Sequence, residues 1–426
     1  MHGNSGLSDV ADKNAVLSAN LRLFLERRKD AIVIDDDVKI EDFVREYMQS
    51  HPSNDVLCFY DCTAILNQYK TWFAVFDDVQ PFYAMKCNPA EGMMDLMTSL
   101  PGMCVDCASV TEIKACLARG ISPSSIIFAN PVKSVEGISF MREKGVWCCT
   151  LDSVEEVTKM HSVLGDDAAK CRVVLRLYVD DHHSLIPLGS KFGCRLDEVD
   201  AILAELKKYN MPAVGVAFHV GSGNEDENAY DKAIANAKTV FDKAKQFGYS
   251  MNLLDMGGGW AGTLGGNAHR NEGLESEARI IRAALETKGM SAIPDLKLIA
   301  EPGRYFNEQV ITLGATVTHV TERNGLVVYR VNEGVTGMFK DTVLADLNVL
   351  PVALEGAGKE LPSRIIGPGF TEKDVITKEK DVLLPRMKAG DNIMFRNMGA
   401  YTMSISSEGA RASQKPVYFI RKSSLN

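Results

Sequence analysis

The sequence predicts an α/β fold in which a (β/α)8 barrel is joined to a mainly antiparallel β-domain. From about residue 58 to residue 305, short apolar runs alternate with amphipathic stretches, which is typical of β-α units around a parallel sheet. Eight such units agree with a barrel in number and in length. After about residue 307, β-branched runs separated by turn-forming residues replace the long helical stretches.

The predicted barrel strands are short and end in polar or small residues. They are FYAMK (82–86), MCVDC (103–107), IIFAN (126–130), WCCTLD (147–152), RVVLRLY (172–178), VGVAFHVG (214–221), LLDMGGG (253–259) and LKLIAEPG (296–303). Helical spacing of apolar residues between them predicts helices at 110–120, 154–164, 199–210 and 230–248. A doubly wound sheet is the structural alternative, but it would seldom need eight such units in a row.

The predicted β-domain draws on both ends of the chain. Its candidate strands lie at 310–320, 325–331, 364–369, 391–397 and 415–420, and we expect the runs at 31–35 and 56–61 to join them. The sequence therefore predicts an N-terminal segment (1–60) contributing to the β-domain, a barrel (61–308) and a C-terminal β-domain (309–426).

The composition excludes several classes of function. A chain with 46% hydrophobic and 24% charged residues is ordinary for a globular protein, and its net charge of -9 with scattered Lys and Arg argues against binding to nucleic acid. The polar N-terminus lacks a signal-peptide pattern and no run approaches a membrane span, so we expect a cytoplasmic protein. Ten cysteines, all at or before Cys194, are too sparse for a disulfide scaffold or a zinc site, and no metal is expected. The chain ends soon after its last predicted strand, so we also expect no long disordered tail.

Polar residues follow nearly every predicted barrel strand. In this fold the C-terminal strand ends face the active site. Each such residue alone is more often a surface or capping residue, but their convergence on one face predicts a site. The residues are Lys86, Asp106, Arg176, His219, Glu301 and Arg304.

Two features of this set indicate a site that contains a nucleophilic amine and binds an anion. An amine at the end of a buried strand, such as Lys86, becomes nucleophilic when it is desolvated, although a strand-end lysine is more often a solvated charge. The glycines at 257–259 and the Gly-Ser-Gly loop at 221–223 expose backbone N–H groups that suit a phosphate, with Arg304 as a bidentate partner. The G-x-G-x-x-G spacing of dinucleotide sites is absent.

Six motifs in order resemble the eukaryotic ornithine decarboxylase family. They are PFYAMKCN (81–88), VDCAS (105–109), FHVGSG (218–223), LLDMGGGW (253–260), AEPGRYF (300–306) and NMGAYT (397–402). The resemblance covers about residues 31–420. It implies a barrel that binds pyridoxal 5'-phosphate, followed by a β-domain.

The resemblance also implies roles for individual residues. Lys86 would bind the cofactor as a Schiff base, His219 would stack on its ring, and Glu301 would keep the pyridine nitrogen protonated so that the ring can accept electrons. Further contacts would come from Asp106, Glu112 and Arg176 near the Schiff base, and from Ser222, Gly258, Gly259, Arg304 and Tyr401 around the phosphate.

The chain departs from the family in the stretch that members donate to the partner subunit's active site. The family has Gly-Pro-Thr-Cys-Asp there, and this chain has GPGFTEKD (367–374). Phe370 therefore replaces the cysteine that protonates the product carbon, and Thr371 replaces the aspartate that binds the distal ammonium of the substrate.

A second acid of the family is also missing. It follows the motif NEGVTGMF (332–339), in which Thr336 replaces a tyrosine, and alignment places Ala345 at its position with Asp346 one residue off. The predicted substrate pocket, with Phe370, Thr371, Ala345 and Asp346, is thus more apolar. Because an unpaired buried ammonium costs several kcal/mol, ornithine fits it poorly unless Asp346 or Glu372 restores a charge.

Three hypotheses follow. The first is a decarboxylase acting on an amino acid without a distal charge and giving an amine or an aldehyde. The second is a non-catalytic regulator of polyamine synthesis similar to the antizyme inhibitors, and the third is a true ornithine decarboxylase, forming putrescine, with a rearranged loop. The intact cofactor residues favour an enzyme over the non-catalytic regulator, and the third hypothesis stays open. The stretch at 123–146 matches the region where relatives bind antizyme, but it is interpreted as a solvated helix face.

The resemblance implies an assembly as well. Family members are head-to-tail homodimers with shared active sites, and Lys191 and Asp374 match a pair that bridges the subunits. We therefore expect a homodimer.

Overall fold

The structure, a computed structural model, describes residues 17, 19–262, 273–344, 347–377 and 382–425. These form two compact units. The barrel unit comprises Lys70–Pro89 and Gly102–Tyr305, and the sheet unit comprises the residues up to Tyr69, Ala90–Pro101 and those from Phe306 onward. The domain bounds predicted from the sequence stay a prediction.

The barrel unit contains a closed ring of eight parallel strands. In order around the ring they are Val79–Ala84, Cys104–Cys107, Ile126–Phe128, Cys148–Leu151, Arg172–Arg176, Ala213–Ala217, Leu253–Asp255 and Lys297–Ala300. The ring closes because the last strand pairs with the first. The predicted barrel is confirmed, with a strand in each of the eight predicted runs, and a doubly wound sheet is excluded.

Helices separate most of the barrel strands, and several begin at a capping serine. Ser109, Ser134 and Ser153 each accept a hydrogen bond from the backbone N–H three residues later, which satisfies a donor that the first helical turn leaves free. The longer helices that lie wholly within the described barrel unit are Val110–Ala118, Val135–Lys144, Val154–Leu164, Val199–Lys208, Ala229–Gln246 and Leu274–Thr287. The four predicted helices are among them.

The interior of the barrel is filled by apolar side chains. Ile127, Val174, Ala217, Leu253 and Ile299 form a buried cluster from five different strands. Burial of such side chains drives the ring to close. Because this packed core occupies the interior, ligands have access to the ends of the strands.

The sheet unit contains a nine-stranded mixed sheet. Five of its eight strand pairings are antiparallel, so the prediction of a mainly antiparallel domain is confirmed. Both N-terminal strands join it as predicted. The strands are Ile32–Ile34, Val56–Asp61, Ile311–Arg323, Leu326–Val331, Pro351–Ala353, Ala357–Ile366, Val382–Arg386, Asn392–Phe395 and Gln414–Arg421.

Short helices complete the sheet unit. They lie at 19–27, Ile40–Ser50, Glu91–Ser99, Asp341–Leu344 and Glu408–Ala412, while Cys62–Val75 and Arg304–Asn307 each begin in one unit and end in the other. The helix Ile40–Ser50 buries Val44 and Met48 in a cluster with Phe59, Met394 and Phe419, which lie on three strands of the sheet.

One parallel pairing in this sheet has a consequence for the loops beside it. The strands Leu326–Val331 and Ala357–Ile366 run parallel, with Arg330 opposite Ile366. Both strands therefore end at the same edge of the sheet. The loops that follow them, 332–340 and 367–374, begin next to each other.

No helix in the described part of the chain has the length and apolar character needed to cross a membrane. All ten cysteines are free thiols, and eight of them are buried. Across the described ranges, no cluster of His, Cys, Asp and Glu is arranged to hold a metal ion.

Candidate active site

Five ionisable side chains predicted from the sequence gather at the C-terminal mouth of the barrel. Lys86 lies in the turn Met85–Cys87, directly after the first strand. Asp106 lies within the second strand, Arg176 ends the fifth, and His219 and Glu301 follow the sixth and eighth. Because all eight strands are parallel, these positions meet at one end of the ring.

Lys86 is anchored by a carboxylate but keeps contact with solvent. Its Nζ lies 2.8 Å from Oδ2 of Asp106, and its side chain is 41% exposed whereas that of Asp106 is fully buried. The desolvated lysine expected from the sequence is therefore not observed. Instead, the buried Asp106 holds an accessible amine at the mouth, and its own Oδ1 has no hydrogen-bond partner in the described structure.

Three carboxyl groups are buried at this mouth: Asp106, Asp255 and Glu301. Burial, together with the neighbouring Asp255, raises the pKa of Glu301 to about 8. Burial likewise raises the pKa of Asp106 to about 7, with a contribution from Glu301, and that of Asp255 to about 6. The cations Lys86 and Arg176 oppose the shift at Glu301. The three buried carboxyl groups at the mouth thus outnumber the two cations, Lys86 and Arg176, that lie close to them.

Asp255 was missed by the sequence analysis, which noted only the glycines of its segment. It is the last residue of the seventh strand, and its Oδ1 accepts a hydrogen bond from the N–H of Gly257 at 2.9 Å. The carboxyl of Asp255 lies near enough to that of Glu301 to raise the pKa of Glu301. The strand-end rule that identified the other residues would have found it.

His219 is neutral near pH 7. Its Nδ1 accepts a hydrogen bond from the N–H of Gly221 at 2.9 Å, which places the ring proton on Nε2. Burial and the nearby charges of Arg176 and Lys86 hold the pKa of the imidazole well below its usual value. A Cβ at Gly258 would lie 2.8 Å from Nε2, so this ring position requires a glycine there.

Two glycine loops pack together beside His219. Gly221 and Gly259 have φ of +85° and +100°, a region that favours glycine, and a Cβ on Gly259 would lie 2.4 Å from the carbonyl oxygen of Gly221. Ser222 begins the short strand Ser222–Asn224 in the first of these loops. Arg304 is buried at the start of the helix that follows the eighth strand. This donor set of backbone N–H groups, a hydroxyl and a guanidinium is suited to a phosphate.

The remaining predicted cofactor residues occupy different places. Glu112, on the helix after the second strand, accepts a hydrogen bond from the N–H of Ala108 at 2.5 Å, and burial raises its pKa. Tyr401 belongs to the sheet unit, where its φ of +54° is unusual for a residue with a side chain.

The predicted substrate-pocket residues of the described chain also belong to the sheet unit. Phe370 is fully exposed, at 107% of its reference area, and Thr371 is exposed as well. Ala345 and Asp346 lie outside the described residues.

Only one member of the expected bridging pair has the exposure that such a role suggests. Lys191 is exposed in the barrel unit. Asp374, by contrast, is only 5% exposed, and its carboxylate accepts hydrogen bonds from the N–H groups of Val335 and Gly369 in its own unit.

Comparison with known proteins identifies the family. Residues 62–308 match the family described as pyridoxal-dependent decarboxylase, pyridoxal binding domain. A probable ornithine decarboxylase of Dictyostelium discoideum is 34% identical over 381 residues, which cover 86% of this chain and 79% of that protein. Antizyme inhibitor 2 of Xenopus laevis is 33% identical over 395 residues, covering 89% and 84%.

A solved structure supports the same conclusion. The arginine decarboxylase of Paramecium bursaria Chlorella virus, crystallised with agmatine, superposes with a TM-score of 0.82 at 30% identity. The match covers 89% of this chain and all of that one. The resemblance to the ornithine decarboxylase family, inferred from six motifs, is thereby confirmed.

The residues at the mouth fit pyridoxal phosphate. Oε1 of Glu301 has no hydrogen-bond donor among the described residues, and a carboxyl that lacks a donor suits a protonated ring nitrogen. Lys86 would supply the accessible amine, and the glycine loops with Ser222 and Arg304 would supply donors for the phosphate. With the match over more than half of its length, the chain belongs to the pyridoxal-dependent decarboxylase family, and its cofactor is pyridoxal phosphate.

Proposed function

We propose that the chain decarboxylates an L-amino acid whose side chain lacks a distal positive charge. The class of reaction, pyridoxal-phosphate-dependent decarboxylation of an amino acid, follows from family membership. The observation that carries the proposal is the constellation at the barrel mouth, where the accessible Lys86 is paired with the buried Asp106 beside the buried Glu301. A protein without catalysis has no need to keep charged groups buried in this way.

Each residue at the mouth has a defined task in this reaction. The bound cofactor supplies an electron sink for the bond between Cα and the carboxylate. Glu301 would keep the ring nitrogen protonated, Asp106 orients the amine of Lys86, and the neutral imidazole of His219 would contact the ring without adding charge. Ser222, Gly258, Gly259 and Arg304 would bind the phosphate.

The preference for an uncharged side chain rests on two replacements. At the positions where the family has a thiol and a carboxylate, this chain has Phe370 and Thr371. Neither can pair with an ammonium, whereas a phenyl ring favours apolar contacts. No cysteine lies beyond Cys194, so water or Lys86 would take over delivery of the proton to the product carbon, and this step decides between amine and aldehyde.

The proposal includes a homodimer in the cytoplasm. A phenylalanine that is fully exposed in the single chain is expected to be covered in the working assembly, and Phe370 meets this description. A second copy of the chain is the partner proposed, with the exposed Lys191 at the contact.

Two other functions remain as alternatives. The similarity to an antizyme inhibitor favours a non-catalytic regulator that binds antizyme. The similarity to ornithine decarboxylases favours formation of putrescine, with Glu372, which is exposed on the second loop, or Asp346 replacing the missing acid. The experiments below separate the three.

The first experiment tests for cofactor and activity together. The purified protein should show the visible absorption of bound pyridoxal phosphate and release carbon dioxide from an apolar amino acid but not from ornithine. Lys86→Ala should abolish both signals, because no other amine occupies its place. Lys297→Ala is the matched control: this exposed lysine begins the eighth strand, at the opposite end of the barrel, and its loss should change neither. A colourless protein that binds antizyme would contradict the proposal.

The second experiment restores the residues of the family. Phe370→Cys with Thr371→Asp should raise turnover of ornithine at least about tenfold, because a carboxylate in place of Thr371 pairs with the distal ammonium and each 1.4 kcal/mol gained is a factor of ten. Turnover of the apolar substrate should fall. Steady-state kinetics with both amino acids measure the change. Unchanged ornithine turnover would mean that these two positions do not select the substrate.

The third experiment tests the charge state of Glu301 in the cofactor-free protein. Because the pKa of Glu301 is raised to about 8 in the folded state, its proton stabilises the fold at low pH, and this contribution is lost as pH rises toward 8. Relative to Glu301→Gln, the wild type should lose up to about 1.4 kcal/mol of unfolding free energy per pH unit between about pH 5 and pH 8.

Urea unfolding at several pH values measures this difference. Glu286→Gln, at an exposed acid of the helix Leu274–Thr287, should follow the wild type at every pH. Parallel curves for the wild type and Glu301→Gln would show that Glu301 is ionised throughout and would contradict the prediction.

A further inference from the structure

The two loops at one edge of the sheet unit carry the positions at which this chain departs from its family. The first loop (332–340) contains Thr336, and the second loop (367–374) contains Phe370 and Thr371. They begin side by side because the strands that precede them are parallel neighbours, with Arg330 opposite Ile366. The loops lie close together where they leave the two strands, but this does not fix the conformation of either loop.

A single buried carboxylate joins the two loops. Oδ1 of Asp374 accepts a hydrogen bond from the N–H of Val335 in the first loop, at 2.8 Å. Oδ2 accepts one from the N–H of Gly369 in the second loop, at 2.5 Å. The backbone of Asp374 also closes its own loop, since its carbonyl oxygen accepts from the N–H of Gly367 at 3.0 Å.

Three glycines surround this carboxylate, and their need for glycine is steric. A Cβ on Gly334, Gly367 or Gly369 would lie 2.5, 2.3 or 2.5 Å from the nearest carboxylate oxygen of Asp374. None of the three is among the residues with positive φ, so backbone conformation does not explain them. Both loops are therefore shaped to fit closely around one side chain.

A second carboxylate fixes the base of the first loop. Oε1 of Glu333 accepts from the N–H of Gly334 at 2.8 Å, and Oε2 accepts from Nε2 of Gln414 at 2.9 Å. The carbonyl oxygen of Thr336 accepts from the N–H of Ser407 at 2.9 Å. The base of the loop is thus held from two sides, while Thr336 itself is exposed at its tip.

We infer that Asp374 is a positioning residue that fixes the two loops to each other, so that Thr336, Phe370 and Thr371 select the substrate side chain as one unit. This inference rests on the proposed function, in which these residues face the substrate. Unrestrained loops of this length would sample many conformations. A displacement of about 1 Å in a substrate-positioning group is enough to lower kcat/KM strongly. A charged acceptor shared by both loops prevents that displacement.

The structural part of the inference is tested without any substrate. In Asp374→Asn the amide keeps the size of the side chain but has one acceptor oxygen, and its NH2 faces a backbone N–H. Hydrogen exchange should therefore increase together in peptides from 332–340 and 367–374, by at least about tenfold, as expected for the loss of a charge-assisted hydrogen bond. Glu360→Gln removes the same charge from an exposed position on the strand Ala357–Ile366 and should leave both loops protected.

The functional part is tested by kinetics of the same variants. Asp374→Asn should raise KM for the preferred amino acid about tenfold or more and narrow its preference over ornithine, while cofactor absorption and kcat change little. If this variant does not fold, Gly369→Ala, which places a Cβ 2.5 Å from the carboxylate, is expected to have the same effects.

The outcomes distinguish the inference from the proposed function. Increased exchange in the second loop alone, or increased exchange in both with an unchanged amino-acid preference, would overturn the positioning role of Asp374. Absence of decarboxylation by the wild type would instead overturn the proposed function, and the exchange data would still decide whether Asp374 joins the loops.

Discussion

The barrel mouth holds three buried carboxyl groups against two cations, and this imbalance governs the chemistry of the site. Asp106, Asp255 and Glu301 lie out of contact with water, where ionised carboxylates are costly unless they are paired. Lys86 pairs directly with Asp106. The excess is expressed as raised pKa values, highest at Glu301, and the protonated ring nitrogen of pyridoxal phosphate would supply the missing positive charge. The site is thus incomplete without its cofactor.

The same fold feature, parallel strand pairing, creates both of the sites considered for this chain. In the barrel, eight parallel strands bring the ends that carry the ionisable residues to one mouth. In the sheet unit, one parallel pair in a mainly antiparallel sheet brings two loops to one edge, where Asp374 joins them. In each case a buried carboxylate then fixes what the strands have brought together.

Much of the fold could be predicted because the spacing of apolar residues along the sequence reflects which side chains are buried. Each predicted barrel run overlaps an observed strand, since runs buried on both faces are continuously apolar. The strand-end rule found Lys86, Asp106, Arg176 and Glu301 for a similar reason. Asp255 follows the same rule, but it was missed because the segment was interpreted as a phosphate-binding loop on account of the adjacent glycines.

Other features could not be predicted, because they depend on contacts between residues that are far apart in the sequence or on the exact position of a turn. The exposure of Lys86 follows from its place in a turn beyond the strand, and not from the apolar residues before it. The role of Asp374 within its own chain depends on the register of strands that are separated along the sequence. The resemblance implied only a bridging role for it, because a motif carries no information about which backbone N–H groups a carboxylate meets.

The central claim is that the accessible amine of Lys86 is the covalent attachment point of the cofactor. The most direct measurement is borohydride reduction of the protein after incubation with pyridoxal phosphate, followed by peptide mass spectrometry. The account predicts one stable adduct, on the peptide that contains Lys86. An adduct on another lysine, or no adduct at saturating cofactor, would contradict it.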